Sequence, residues 1–379
     1  MSALVGLLGA NGWVQFDGDR IVGHGPDRLG APHDAQDLGD ALLFPGFVDL
    51  QVNGVGTVDF ATADDEHAIV GALDELAAHG TTACLPTIVT APLDTYDVML
   101  DRIRRARDVA TSRATSRATS RAASTATCSI LGVHLEGPFL GGAPGAHPQD
   151  LLRAVDVTWL EHLLDRHGDL VRMVTLAPEA DPGFAGIRML AERGVLVALG
   201  HSTCTFEDAI AATDAGARVV THLFNAMRPM HHRQPGLAEA ALLDARLTPT
   251  VIADLHHVGA PSLRLALAAK EHLALVTDAV APGAGTSGGL DIVARDGAVY
   301  LRDGTLAGSV IHMIDAVRNV LALGAGPHRV RELSSTVASV LLRDDARGAL
   351  DVGRRGDVVA VSPDARDVVG VWLGGMRLR

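Results

Sequence analysis

The chain is predicted to fold as an α/β protein, a (β/α)8 TIM-like barrel with a small β-sandwich domain formed by both termini. Three observations carry that prediction. Eight short apolar runs alternate with helix-like stretches through the middle of the chain. Both ends instead carry short alternating strands between Gly-rich turns. A Glu, two His and an Asp each stand where a successive apolar run gives out. Strands alternating with amphipathic helices make parallel βαβ units, and eight of these close a barrel. An open doubly wound sheet is disfavoured, because no Gly-rich dinucleotide turn follows the first run.

In chain order, Trp13-Val14-Gln15-Phe16 and Arg20-Ile21-Val22 read as small antiparallel strands. Residues 356–361 and 368–373 look alike, split by Ser362-Pro363-Asp364. The sandwich is therefore expected from 1–45 plus 345–379 and the barrel from 46–344. The eight runs are Phe47–Gln51, Thr82–Pro86, Ile130–Leu135, Val171–Leu176, Val195–Gly200, Arg218–Thr221, Thr250–Ala253 and Leu273–Thr277. Helix-like stretches at 65–79, 94–110, 156–167, 206–215 and 261–271 separate most of them. A hairpin is expected at 291–306, then helices near 308–322 and 329–342. A low-complexity insert at 111–127 repeats Thr-Ser-Arg-Ala, placing Arg113, Arg117 and Arg121 four residues apart, on one solvated helical face or in a loop.

At 379 residues the chain exceeds an ordinary barrel of about 250, leaving room for the accessory sandwich. A hydrophobic content of 47% supports a large core, and a formal charge of −13 argues against a nucleic-acid partner. Cys84, Cys128 and Cys204 are scattered, with no CxxC pair, which points to a reducing compartment and excludes a thiolate zinc site. No signal-peptide pattern opens the chain and no apolar run approaches the ~18 residues of a membrane helix, so a cytoplasmic protein without a membrane partner is expected.

The chemistry is carried by the run ends. Side chains two apart in a strand share a face. If Val133 and Leu135 pack against helices, His134 and Glu136 face the barrel interior, with Glu136 near the rim. His201 ends the fifth run and His222 the sixth, and neighbouring strands lie only about 4.8 Å apart. Alone, each of these residues reads most simply as a solvated or hydrogen-bonded strand end. Together, one carboxylate and two imidazoles leave an open position on a metal, as catalytic zinc sites do. Asp278 ends the eighth run, where a carboxylate can act as general base toward a water activated at such a site.

Several longer stretches add to these residues: Pro45–Gly54, Gly80-Thr81-Thr82 with Leu85-Pro86-Thr87, 134–139, 199–202, 221–227, 235–237, 275–279 and 304–309. Taken together and in order, they resemble the N-acetylglucosamine-6-phosphate deacetylases of the amidohydrolase superfamily over nearly the whole chain. The resemblance implies hydrolysis of an acetamide on a phosphosugar, with Glu136, His201 and His222 as metal ligands and Asp278 as catalytic acid/base. It implies that His257 contacts the substrate and polarises the acetyl carbonyl, and that His147, Asn225 and Ala226 bind substrate. It further implies a homodimer in which Arg233 crosses the interface to the neighbouring phosphate. Where the superfamily's first strand usually ends in His-x-His, this chain reads Gln51-Val52-Asn53, so a single divalent ion is expected, zinc first, with Fe2+ or another ion as alternatives. The loop 141–144 is one residue short of the family's pattern before His147, and Leu255 stands where glycine is common before His256 and His257. The rival functions are another amidohydrolase acting on a related N-acyl sugar phosphate or cyclic amide, and a catalytically silent binding scaffold.

Overall fold

The computed structural model describes residues 4–117 and 127–378. Its centre is a barrel of eight parallel strands: β1 (Phe47–Val52), β2 (Thr81–Val89), β3 (Val133–Glu136), β4 (Val171–Leu176), β5 (Leu196–Leu199), β6 (Val219–Val220), β7 (Thr248–Ile252) and β8 (Ala274–Val276). Each strand pairs in parallel with its successor. The ends of this ribbon meet where the Asp278 N–H donates to the Gln51 carbonyl at 2.8 Å and Val52 bridges Ala279. Closure is reinforced by Asp49, whose carboxylate accepts the Thr277 hydroxyl at 2.6 Å. Burial pushes the Asp49 carboxyl up to about 7, against the hydrogen bonds it accepts from Thr277 and Gln51.

Alternation along the strands sorts two apolar layers. Val133, Leu135, Val174 and Val197 belong to the cluster shared with helices Glu66–Ala78 and Val157–His167. Val48, Leu50, Ala83, Leu85, Met173, Ala198, Val219, Ile252 and Val276 fill the interior, stoppered by Val337, Ala338 and Leu342. Val337 and Ala338 lie in the continuous helical stretch 327–341, which includes one π-helical turn at Glu332–Thr336, and Leu342 caps it.

The terminal segments form two four-stranded sheets. One runs Arg20–Gly25, Gly12–Asp17, Val5–Gly9, Gln36–Asp37; the other runs Met376–Arg377, Val368–Leu373, Val358–Val361, Leu42–Pro45. Leu7, Val14, Phe16 and Ile21 from the first sheet pack against Leu43, Val358, Ala360 and Trp372 from the second.

Four local details differ from the sequence reading. The apolar run 130–135 is split: Ser129–Ile130 pairs with β2, and β3 begins only at Val133. Gly132 makes the break at φ 153°, where an added Cβ would lie 2.1 Å from the Arg172 Cγ. The hairpin expected at 291–306 is Leu290–Arg295 with Ala298–Leu301, joined by Thr286–Ser287 as a third strand. The helix expected from 308 starts at Met313, because Ser309 is used first: it exchanges backbone bonds of 2.9 Å with Asp278 and Val280. The helix begun at Tyr96 runs to Arg117, well past 110 and into the repeat. Arg113 reaches Asp74 at 3.3 Å there, while most of the face expected for Arg113, Arg117 and Arg121 lies outside the described residues.

Candidate active site

Glu136, His201, His222 and Asp278 stand at or just past the ends of their strands, at the C-terminal mouth of the barrel. His201, His222 and Asp278 all take positive φ, at 49°, 31° and 48°. Non-glycine residues pay roughly 1–3 kcal/mol for that region, so they hold it only where surrounding bonds fix them. Such bonds are present. The His222 N–H donates to Thr250 Oγ1 at 2.8 Å, and the Gly141 N–H donates to the His201 carbonyl at 2.9 Å.

Glu136, His201 and His222 converge, all buried, with ligand atoms within 4.8 Å of one another; among the described residues this is the one such cluster. Glu136 Oε1 lies 3.1 Å from His201 Nε2 and 3.0 Å from His222 Nε2, and the two nitrogens are 3.1 Å apart. His201 Nδ1 faces only acceptors, the carbonyls of Ala143 (3.2 Å) and Pro144 (3.1 Å), so it carries a proton, and the neutral ring then keeps its lone pair on Nε2. Lone pairs brought this close to a carboxylate oxygen repel unless positive charge lies among them. The donor set therefore fits a divalent cation, with one carboxylate and two imidazoles as ligands. Burial works against charge on Glu136, yet the two histidines hold its carboxyl well below the usual carboxylate range. Burial also opposes charging His222, and Glu136 nevertheless raises it.

Asp278 lies beside this cluster. Its Oδ1 accepts from Asn53 Nδ2 at 2.7 Å and Gln51 Nε2 at 3.1 Å, and Gln51 Nε2 also reaches Glu136 Oε1 at 2.9 Å. The two amides thus turn their donor ends to the carboxylates. Burial, then the charge of Glu136, raises the Asp278 carboxyl to about 6.

The rest of the cleft is assembled from loops. His147 Nδ1 is 2.8 Å from Thr90 Oγ1 and its Nε2 is 3.8 Å from Glu136 Oε2. Burial, and then His201, drive its pKa down to about 3. His257 and Asp278 line the same cleft of about 260 Å3, as do Asn225 and Ala226. The hairpin strand Leu290–Arg295 roofs it through Leu290 and Ile292, and the Gly288 N–H before it is held by Asp59 Oδ2 at 3.0 Å. His256, the neighbour of His257, is exposed and packs near Gly297 of the hairpin.

No protein-family model matches the chain. The N-acetylgalactosamine-6-phosphate deacetylase of Escherichia coli O157:H7 is 35% identical over 347 residues, covering 88% of this chain and 87% of that protein. The N-acetylglucosamine-6-phosphate deacetylase of Bos taurus is 35% identical over 396 aligned residues, 97% of this chain and 91% of the relative. The chain belongs to the N-acetylglucosamine-6-phosphate deacetylases. Their solved structures superpose throughout. A mutant of the Mycobacterium smegmatis deacetylase in complex with N-acetyl-D-glucosamine-6-phosphate matches with a TM-score of 0.87 and 32% identity over 100% of both chains. The Pasteurella multocida deacetylase matches with a TM-score of 0.85, 28% identity and 99% of both chains.

Within this deacetylase fold the single chain brings eight of the nine expected residues into one cleft. Arg233 is the exception: it is exposed, in the loop after Met230, and does not line the cleft. No Lys or Arg does so among the described residues. Sequence reasoning missed Asp254, which binds His257 Nδ1 at 2.6 Å, and Thr90, which holds His147. The signal for Asp254 was its spacing, three residues before the histidine at a strand exit.

Proposed function

We propose that the cleft hydrolyses the acetamide of N-acetyl-D-glucosamine 6-phosphate, giving D-glucosamine 6-phosphate and acetate, as a step in amino-sugar catabolism or cell-wall sugar recycling in the cytoplasm. The observation that carries this reading is the convergence of Glu136, His201 and His222 beside Asp278, in a chain that matches the named deacetylases end to end. Those three ligands would hold a divalent ion, zinc first, which would supply Lewis acidity and lower the pKa of a water to about 7. Asp278, fixed at Oδ1 by Asn53 and Gln51, keeps Oδ2 to take the attacking water's proton and to return it to the departing amine. His257 stabilises the oxygen that gains charge, from the side of the cleft opened by β7. Asn225, Ala226 and His147 orient the sugar and its phosphate, which lowers the entropic part of the barrier.

A phosphate dianion calls for a permanent cation, and among the described residues no Lys or Arg lines the cleft of one chain. Arg233, exposed and permanently charged, fits that task in a homodimer, where it reaches the partner's cleft. The relative named for N-acetylgalactosamine 6-phosphate favours testing the C4 epimer as a second substrate. The experiment is acetate release by metal-loaded protein from both phosphorylated epimers and from unphosphorylated N-acetylglucosamine, with metal content measured on the same sample. Release from N-acetylglucosamine 6-phosphate and little from the unphosphorylated sugar is expected. No release from any of them by protein carrying one metal per chain would leave the silent scaffold as the better reading.

A further inference from the structure

We infer that Asp254 is a positioning residue for this reaction: it holds His257 as an imidazolium whose Nε2–H points into the cleft, toward the oxygen that becomes negative. The inference rests on the proposed deacetylation and goes beyond it, because it states the form in which His257 works and the group that sets that form.

The geometry is unusually complete. Asp254 follows β7, and its side chain is fully inaccessible beside a His257 side chain only 5% exposed. Its Oδ1 accepts the N–H groups of His256 at 2.9 Å and His257 at 2.8 Å. Its Oδ2 stands 2.6 Å from His257 Nδ1. Leu255 completes this tight turn at φ 67°, and Asn319 Nδ2 pins its base by donating to the Ala253 carbonyl at 2.7 Å. Making the turn needs only Oδ1. The second oxygen is spent on the ring.

An ionised carboxylate only accepts, so Nδ1 must carry the proton. Two forms of the ring remain. A neutral ring would present a lone pair at Nε2 to a developing oxyanion and repel it; an imidazolium presents a donor. The carboxylate bonded directly to the ring, Asp254, favours the second. Asp278 and Glu136 line the same cleft, where the divalent ion proposed for Glu136, His201 and His222 would offset their charge. His147, which lines the same cleft, is held uncharged by burial, and His201 and His222 converge with Glu136 as the metal-ligand set. The hairpin strands above contribute Ser287, Leu290, Ile292 and Leu301, none of them charged. On its own loop the remaining titratable group is His256, exposed to solvent. Burial disfavours charge on Asp254, yet its bond to His257 keeps the carboxyl below the ordinary value.

The test uses the full-length, metal-loaded protein with nitrogen-15 labelled histidine. In the wild type, His257, assigned by its loss in His257→Asn, is expected to show imidazolium nitrogen shifts and a strongly downfield Nδ1 proton near neutral pH. Asp254→Asn keeps an oxygen for the two backbone donors but turns an amide N–H toward Nδ1, so the ring becomes neutral and that downfield proton disappears. With N-acetyl-D-glucosamine 6-phosphate, kcat should fall about 10- to 100-fold in Asp254→Asn, with a smaller change in KM and an unchanged metal content. A neutral His257 with a bare Nε2 in the wild type would overturn the inference whatever the variant does. So would an Asp254→Asn protein with wild-type kcat. The resonance measurement needs no substrate, so absence of acetate release by the wild type would count against the proposed reaction alone.

Discussion

The two ends of the barrel make opposite use of the same strands. At the floor, Leu50, Met173, Val219 and Val276 meet Val337 and Leu342 in a closed apolar plug. At the mouth, one to three residues further along the chain, the same strands or their exits present Gln51, Thr175, His222 and Asp278. The floor is packed in ordinary strand conformation. At the mouth His201, His222 and Asp278 are held in left-handed backbone by hydrogen bonds from neighbouring strands and loops. Stability and chemistry are thus separated by a short distance along each strand, and substitutions at the two ends should read out in different assays.

At the mouth the largest effect is expected from Glu136→Gln. It should abolish metal binding and reduce acetate release to background, since the ion's contribution to water activation goes with it. Metal analysis and an acetate assay on the same preparation check this. A variant that keeps its metal would remove Glu136 from the ligand set.

Next comes Asp278→Asn, expected to retain the metal while kcat falls by about 10²–10⁴-fold, the range for a lost general base. A loss of less than tenfold would move the proton-transfer role elsewhere. Smaller again is Arg233→Ala, for which a rise in KM corresponding to about 10- to 100-fold weaker phosphate binding is expected. Mixing Arg233→Ala chains with Asp278→Asn chains sharpens this. If the arginine crosses an interface, one site in each mixed dimer holds both native residues and activity returns. Absence of any recovery in demonstrably mixed dimers would place Arg233 outside the neighbouring site.

The smallest effect on catalysis is expected at the floor. Met173→Ala should cost about 2–5 kcal/mol of stability through the cavity it leaves, with kcat near wild type below the melting transition. Denaturant unfolding and the acetate assay, run in parallel, measure both sides. A large fall in kcat in folded protein would show that the two ends are coupled.

Much of this layout was legible in the residues. That Val133 and Leu135 face away from His134 and Glu136 follows from the period of two, and the apolar pair packing on the helices turns the polar pair inward. The polar residues His201, His222 and Asp278 stood out because they interrupt apolar runs. Other parts carried no such contrast. Helices Ala185–Glu192 and Leu237–Leu243 are short, and the second is buried on nearly every side, so it shows no amphipathic period. Gln51 and Asn53 were legible as poor metal ligands. Their actual occupation, donating to Asp278 and Glu136, depends on which end of each amide faces inward, and sequence does not encode that. Asp254 resembled any loop aspartate until its second oxygen was seen to be spent on His257. The loop 141–144, expected to be one residue short, still carries His147 into the cleft, where Thr90 and the backbone bond from Gly141 to His201 hold it against the barrel.

One consequence follows from the strand Leu42–Pro45, which pairs with Val358–Val361 across nearly the whole length of the chain. During synthesis, that early strand must wait for its hydrogen-bond partner until almost everything else has been made. Such long-range pairing is the slow kind to form, because the intervening chain must first be brought to order. The barrel, whose strands each pair with the next, can zip up meanwhile, so the sandwich closes last, as a clasp over an already folded cylinder.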